Sequence, residues 1–168
     1  FILTTDCDTN TRQWVAARLE AFFGALEILV PAATGVAMSP DPIQVLLFEE
    51  ADDFAAHARK AAPGLGHNGG YYDGATRTVV AYHRSNPLQL QFHEISHAAM
   101  GDVFGDPQYQ RYARPGWPVW FDEGFAEYVS SYEVVGSSLR FGAPHAARLA
   151  TLLDALATQQ LPALPQLL

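Results

Sequence analysis

The chain has 168 residues, of which 49% are hydrophobic, 12% aromatic and 17% charged, and its formal net charge is −8. This length fits one domain, and the apolar and aromatic content excludes a disordered chain. Eighteen acidic against ten basic residues argue against nucleic acid as a partner and give no support to an anionic membrane surface. No apolar run reaches the roughly 18 residues that a transmembrane segment needs.

Cys7 is the single cysteine, so an intrachain disulfide and a zinc site made of cysteines alone are both excluded. The chain opens directly on a strand-like segment and ends in an apolar stretch rich in leucine and proline, residues 161–168. We interpret residues 1–168 as one domain and as a piece of a longer protein. The oligomeric state is left open.

Strands and helices alternate in the first half of the predicted structure. The opening strand precedes a helix that is expected to begin near Asn10, which has capping-box spacing with Gln13, and to end at Pro31. A short apolar strand is predicted over residues 43–48, and a helix over residues 51–62.

A hairpin and a series of helices complete the prediction. Asp73-Gly74 is typical of the turn of a hairpin that ends at Tyr82. Only helices are expected after it: one over residues 86–101, with Asn86 as N-cap and Gly101 as C-terminal cap, one over 118–131 and one over about 145–157. This order indicates an α+β fold, with a small mixed sheet packed on helices.

Residues 93–97 read HEISH, which is the H-E-x-x-H pattern. On a helix, at about 100° per residue, His93 and His97 lie one turn apart, so both imidazoles can reach one metal ion. Glu94 lies beside them, where it suits a base acting on metal-bound water. The alternative is a solvated helix face that carries two histidines by chance. The apolar residues of this helix cluster on the opposite face: Leu88, Phe92, Ile95 and Ala99.

A catalytic zinc ion needs a third protein ligand and one open position. A metzincin would have histidine six residues after His97, where this chain has Val103. The next helix offers Glu123 and Glu127, four residues apart, which would repel each other without a nearby cation. A zinc ion held by His93, His97 and Glu123 would supply that cation.

The other residues of this helix have predicted positions relative to Glu123. Glu127 is expected either to accept the second ring N–H of a ligand histidine or to face solvent. Asp122 is the nearest rival ligand, but it lies about 100° away around the helix. The predicted apolar stripe lies roughly opposite the two glutamates: Phe121, Phe125, Tyr128 and Tyr132.

Residues 93–97 and residues 120–128 (WFDEGFAEY) together resemble the gluzincin class of zinc metallopeptidases, and most closely the bacterial peptidase MA-like and aminopeptidase-N-like catalytic domains. The resemblance implies a zincin-like fold, Zn²⁺ bound by His93, His97 and Glu123, and Glu94 as general base. It implies hydrolysis of peptide bonds in a peptide or protein substrate through Glu-assisted attack of zinc-bound water. It also implies an extracytoplasmic protein, whether secreted, periplasmic or membrane-tethered.

The chain departs from this pattern in two respects. It has no Gly-Ala-Met-Glu-Asn segment of the kind that captures a free N-terminus, so exopeptidase and endopeptidase activity both stay open. The oxyanion-stabilising residue also stays open. Its candidates are Tyr71, Tyr72, Tyr82, Tyr132, His145 and, if the chain is a piece of a longer protein, a residue beyond Leu168. Two alternative functions remain: zinc-dependent hydrolysis of another amide or ester, and a weakly active or inactive peptidase-like module that binds zinc.

Overall fold

The computed structural model of the protein describes residues 1–61, 69–83, 88–104, 119–135, 138–144 and 146–158. These residues form five helices and six strands in a mixed arrangement, which confirms the α+β prediction. In chain order the elements are β1 (Ile2–Thr5), α1 (Thr9–Thr34), β2 (Gln44–Phe48), α2 (Ala51–Ala61), β3 (Gly70–Asp73), β4 (Thr78–Tyr82), α3 (Gln89–Phe104), α4 (Val119–Ser130), β5 (Tyr132–Val135), β6 (Ser138–Phe141) and α5 (Ala146–Ala157).

The central sheet has four strands in the order β1-β2-β4-β3. Strands β1, β2 and β4 are parallel, and β3 pairs with β4 in the antiparallel sense. Successive side chains of a strand point to opposite faces, and both faces of β2 are covered. Val45 and Leu47 face the main core with α1 and α3, whereas Leu46 and Phe48 pack toward Phe54 of α2. The sheet is therefore a layer between α2 and the pair α1 and α3.

Helix α1 begins and ends at residues other than those predicted. The Asp8 carboxylate is the N-cap, because it accepts the backbone N–H groups of Asn10 and Thr11 at 2.7 and 3.1 Å. Pro31 lies inside the helix, which continues to Thr34 and ends at Gly35 with φ 73°. The helix begins at Thr9, next to the predicted start near Asn10, but its N-cap is Asp8; the predicted end at Pro31 is wrong. Pro31 cannot donate a backbone hydrogen bond within the helix. Burial of the neighbouring Val30 side chain offsets the free-energy cost of that missing bond.

Helix α3 ends three residues later than predicted and is buried on most of its surface. Its predicted apolar face is confirmed, since Leu88, Phe92, Ile95 and Ala99 are fully buried. The predicted cap at Gly101 is wrong, because the helix continues to Phe104. Asp102 anchors that extra turn through its side chain. The predicted N-cap, Asn86, lies outside the described residues.

A second, two-stranded sheet was not predicted. Strands β5 and β6 pair in the antiparallel sense where only helices were expected. Each has four residues, too few for alternation to stand out from a helical pattern. Its aromatic residues dock it on the main core: Tyr132 packs on Phe92, and Phe141 meets Phe22 edge-on. The backbone N–H of Gly142 then donates to the Tyr128 carbonyl at 3.0 Å, which ties the hairpin to α4.

Helix α4 packs on α3 with a face different from the one predicted. Of the predicted aromatic stripe, Phe125 and Tyr132 pack against the main core, whereas Phe121 and Tyr128 are exposed. The buried residues are Asp122, Ala126, Val129 and Ser130, and the first three share a face at i, i+4 and i+7. Small side chains at this contact let the two helices approach closely.

Helix α5 confirms the predicted last helix. Four of its leucines form one exposed face: Leu149, Leu152, Leu153 and Leu156. Among the described residues, no helix combines the length and the apolar character that crossing a membrane would require.

Asp102 joins the last turn of α3 to the start of β4. Its carboxylate accepts hydrogen bonds from Nη1 and Nη2 of Arg77, at 2.5 and 3.3 Å. It also accepts one from the backbone N–H of Ser39, at 3.0 Å. Arg77 has φ 51°, a left-handed conformation that is costly for a residue with a side chain. The Asp102 contacts hold this turn in place and fix the end of α3 against the sheet.

We expect Asp102→Ala to lower the free energy of unfolding by about 2–4 kcal/mol, because the half-buried Arg77 guanidinium loses its counter-charge. Urea denaturation measures this change. The matched control is Glu133→Ala, which removes the exposed partner of Arg140 and should cost less than about 1 kcal/mol. Equal losses in the two variants would contradict the assigned role of Asp102.

Candidate metal centre

Three predicted site residues meet where α3 packs against α4. His93 and His97 project from α3, and Glu123 projects from α4. Glu123 Oε2 lies 3.3 Å from Nε2 of His93 and 3.9 Å from Nε2 of His97. One ligand atom from each residue lies within 4.8 Å of the others. The three side chains are therefore close enough to bind one metal ion.

These distances suit tetrahedral coordination. Ligand atoms that are each about 2.0–2.1 Å from a tetrahedral zinc ion are about 3.3–3.4 Å apart. The separations of Glu123 Oε2 from the two imidazole nitrogens are 3.3 and 3.9 Å, and all three ligand atoms lie within 4.8 Å of one another, so the side chains must draw closer together to hold the ion. Two imidazoles and one carboxylate are also a donor set that suits zinc. The residues present thus fit the predicted ion.

Each histidine has a carboxylate on the side of its ring away from Glu123. His97 Nδ1 lies 3.0 Å from Asp122 Oδ1, and the two side chains are only 1% and 0% exposed. His93 Nδ1 lies 3.6 Å from Glu127 Oε1. An Nδ1–H that donates to a carboxylate leaves Nε2 as the unprotonated nitrogen that a metal requires. Both rings are thus oriented with Nε2 toward Glu123.

Asp122 contacts the candidate site in a way that the sequence does not predict. The sequence indicates it only as a rival ligand, about 100° from Glu123 around the helix. That rotation is what carries the carboxylate behind His97 while Glu123 faces the Nε2 atoms. The spacing of Asp122 with Ala126 and Val129 could have indicated the buried face of α4, but the aromatic residues gave a stronger apolar pattern.

Glu127 combines its two predicted positions, facing a ligand histidine and facing solvent. Its Oε1 atom faces Nδ1 of His93 at a distance beyond that of a hydrogen bond, and its side chain is 35% exposed. The same oxygen accepts Nη2 of Arg148, from α5, at 2.8 Å. Glu127 therefore serves both His93 and a charged residue of the last helix.

The site carries a negative field around His93. Burial is the largest influence on the pKa of His93 and lowers it, but the hydrogen bond to Glu123 and the charges of Glu94, Glu123 and Glu127 raise the pKa above its ordinary value. Glu94 itself is buried. A divalent cation would satisfy the same carboxylates that favour a proton on His93, so protons and metal compete for this ring.

The tyrosines proposed for the oxyanion lie in different parts of the fold. Tyr71 and Tyr82 belong to the cluster around Phe54, across the sheet from α3. Burial raises the pKa of Tyr132, and its hydroxyl is engaged by the Leu88 backbone. Tyr72 lies near Arg77 and Asp102, and burial raises its pKa to about 12. His145, the remaining candidate, is outside the described residues. The oxyanion-stabilising residue stays unassigned.

Comparison of the chain with protein families, curated proteins and solved structures finds no match. The interpretation of the site therefore depends on its own geometry and on the sequence motifs.

We expect Asp122→Asn to weaken zinc binding about 10- to 100-fold, because the amide keeps the shape of the side chain but removes the charge that orients and polarises His97. Competition with a chromogenic chelator measures the affinity. The control is Asp53→Asn, an exposed position of α2 on the opposite side of the sheet, which should leave the affinity unchanged. If Asp122→Asn binds zinc as tightly as the unaltered protein, the assigned role is wrong.

Proposed function

We propose that the protein is a zinc-dependent metallopeptidase of the gluzincin type, with a zincin-like fold. His93, His97 and Glu123 would hold the zinc ion, and Glu94 would act as the general base. The observation that carries this proposal is the approach of both Nε2 atoms to Glu123 Oε2, with all three ligand atoms within 4.8 Å. The buried Glu94 lies in the same helical turn as His93.

Three features favour a catalytic over a purely structural site. Three protein ligands leave one position of a tetrahedral ion open, as catalytic zinc requires. A single carboxylate ligand leaves a formal charge of about +1 on the ion and its ligands, so the ion stays a useful Lewis acid. A buried base next to the ligands has no purpose in a structural site, and Glu94 is such a base.

The proposed chemistry divides between the ion and the protein. Zinc bound at this site would polarise the scissile carbonyl and lower the pKa of the attacking water. Glu94 accepts the proton of that water and delivers it to the leaving amine. Asp122 and Glu127 face the Nδ1 atoms of the two histidines, so these rings are committed to binding and leave proton transfer to Glu94.

A peptide is the proposed substrate because of the paired motifs at residues 93–97 and 120–128. The same residues could hydrolyse another amide or an ester, since the reaction needs only a polarised carbonyl and a base. Assays with peptide, simple amide and ester substrates, each with and without chelator, distinguish these possibilities.

We expect Glu94→Gln to retain one zinc ion per chain and to lose peptide hydrolysis by about 10²- to 10⁴-fold in kcat, because the amide cannot accept the proton of the attacking water. Zinc content is measured by atomic absorption, and hydrolysis with a peptide library. Glu133→Gln, at an exposed position of β5, is the matched control and should keep full activity. A Glu94→Gln protein that remains fully active would exclude this mechanism.

A further inference from the structure

We propose that Arg148 of α5 is a positioning residue of the metal centre, which holds the Glu127 carboxylate behind His93. This inference depends on the proposed zinc site. Arg148 Nη2 donates to Glu127 Oε1 at 2.8 Å, and this same oxygen faces His93 Nδ1 at 3.6 Å. A chain of contacts thus runs from the start of α5, through α4, to the first histidine of the H-E-x-x-H motif.

The two carboxylates behind the histidines are held in different ways. Asp122 is completely buried between α3 and α4 and hydrogen-bonded to His97 at 3.0 Å, so packing fixes its position. Glu127 is 35% exposed and has one more rotatable bond, so packing alone does not select one orientation. Its contact with His93 is also longer than a hydrogen bond. An additional partner is needed to keep the Glu127 carboxylate facing Nδ1 of His93.

Arg148 has the geometry for that task. A carboxylate oxygen has two lone pairs and can accept from Arg148 and from His93 together. Bonding to a guanidinium charge is stronger than bonding to water, so it favours the orientation of Glu127 that faces His93. The distance of 3.6 Å between His93 Nδ1 and Glu127 Oε1 needs to shorten by only about 0.5 Å to become a hydrogen bond, and Arg148 keeps this acceptor in place.

Arg148 contributes little to the fold itself. Its side chain is 71% exposed, and exposed ion pairs have small effects on stability. A change at this position therefore reports on the metal centre without unfolding the protein. Arg140 on β6 provides a matched control, because it is equally exposed, at 70%, and forms an ion pair with Glu133 away from the histidines.

The test measures zinc affinity by chelator competition for Arg148→Ala, Arg148→Lys and Arg140→Ala. We expect Arg148→Ala to bind zinc about 3- to 10-fold more weakly, since it acts one contact further out than the carboxylates that touch the ligands. Arg148→Lys should recover most of this loss, because one N–H donor makes the observed bond. Arg140→Ala should match the unaltered protein. The Co²⁺-substituted protein should show a shifted visible spectrum for Arg148→Ala alone.

A double variant tests whether Arg148 acts through Glu127. In the Glu127→Ala background, Arg148→Ala should cause no further loss of affinity, because the acceptor that Arg148 holds is gone. An equal loss in both backgrounds, unchanged affinity in Arg148→Ala, or tighter binding from removal of a positive charge would each overturn the proposal. If the unaltered protein binds no zinc, the proposed function fails together with this inference; if it binds zinc and only the Arg148 effect is missing, this inference alone fails.

Discussion

The hydrogen bond between His97 and Asp122 is the interaction on which the candidate site depends most. Both side chains are almost completely buried between α3 and α4, where an unpaired carboxylate would be very unfavourable. The bond thus fixes the rotation of α4 about its axis, with Ala126 and Val129 buried at the helix contact. The same rotation brings Glu123 to the Nε2 atoms of His93 and His97 and turns Glu127 toward the other side of His93.

The rest of the fold holds α3 in place for this pairing. Its apolar face is sealed against the sheet and α1, with Phe92 stacked on Phe22 at 3.8 Å between ring centroids. Its last turn is fixed by Asp102 and Arg77. The histidines therefore project from a helix that has little freedom to move, and a rigid support of this kind is what a precise coordination geometry requires. The more exposed part of the site, Glu127 with Arg148, connects it to α5.

The sequence is sufficient to predict the three clustered side chains and the helix that carries two of them, because the spacing of His93, Glu94 and His97 on one helix is characteristic of a metal site. The paired glutamates on the next helix indicate a cation by their charge, and the resemblance of residues 120–128 implies Glu123 as the ligand. The face of α4 is not predictable in this way, since Phe121 and Tyr128 look apolar but lie exposed, and Asp122 looks polar but is buried. The burial of Asp122 depends on its hydrogen bond to His97, which is 25 residues away in the sequence. The β5–β6 hairpin is missed for a similar reason: short strands are specified by packing on Phe92 and Phe22 rather than by their own pattern.

We propose that His93, His97 and Glu123 bind one zinc ion and leave a position open for water. Anomalous diffraction at the zinc absorption edge from crystals of the zinc-loaded protein tests it most directly. We expect a single strong peak about 2.0–2.2 Å from both Nε2 atoms and from Glu123 Oε2, with its fourth position free of protein ligands and Glu94 beside it. A peak elsewhere, no peak, or a fourth protein ligand on the ion would contradict the account.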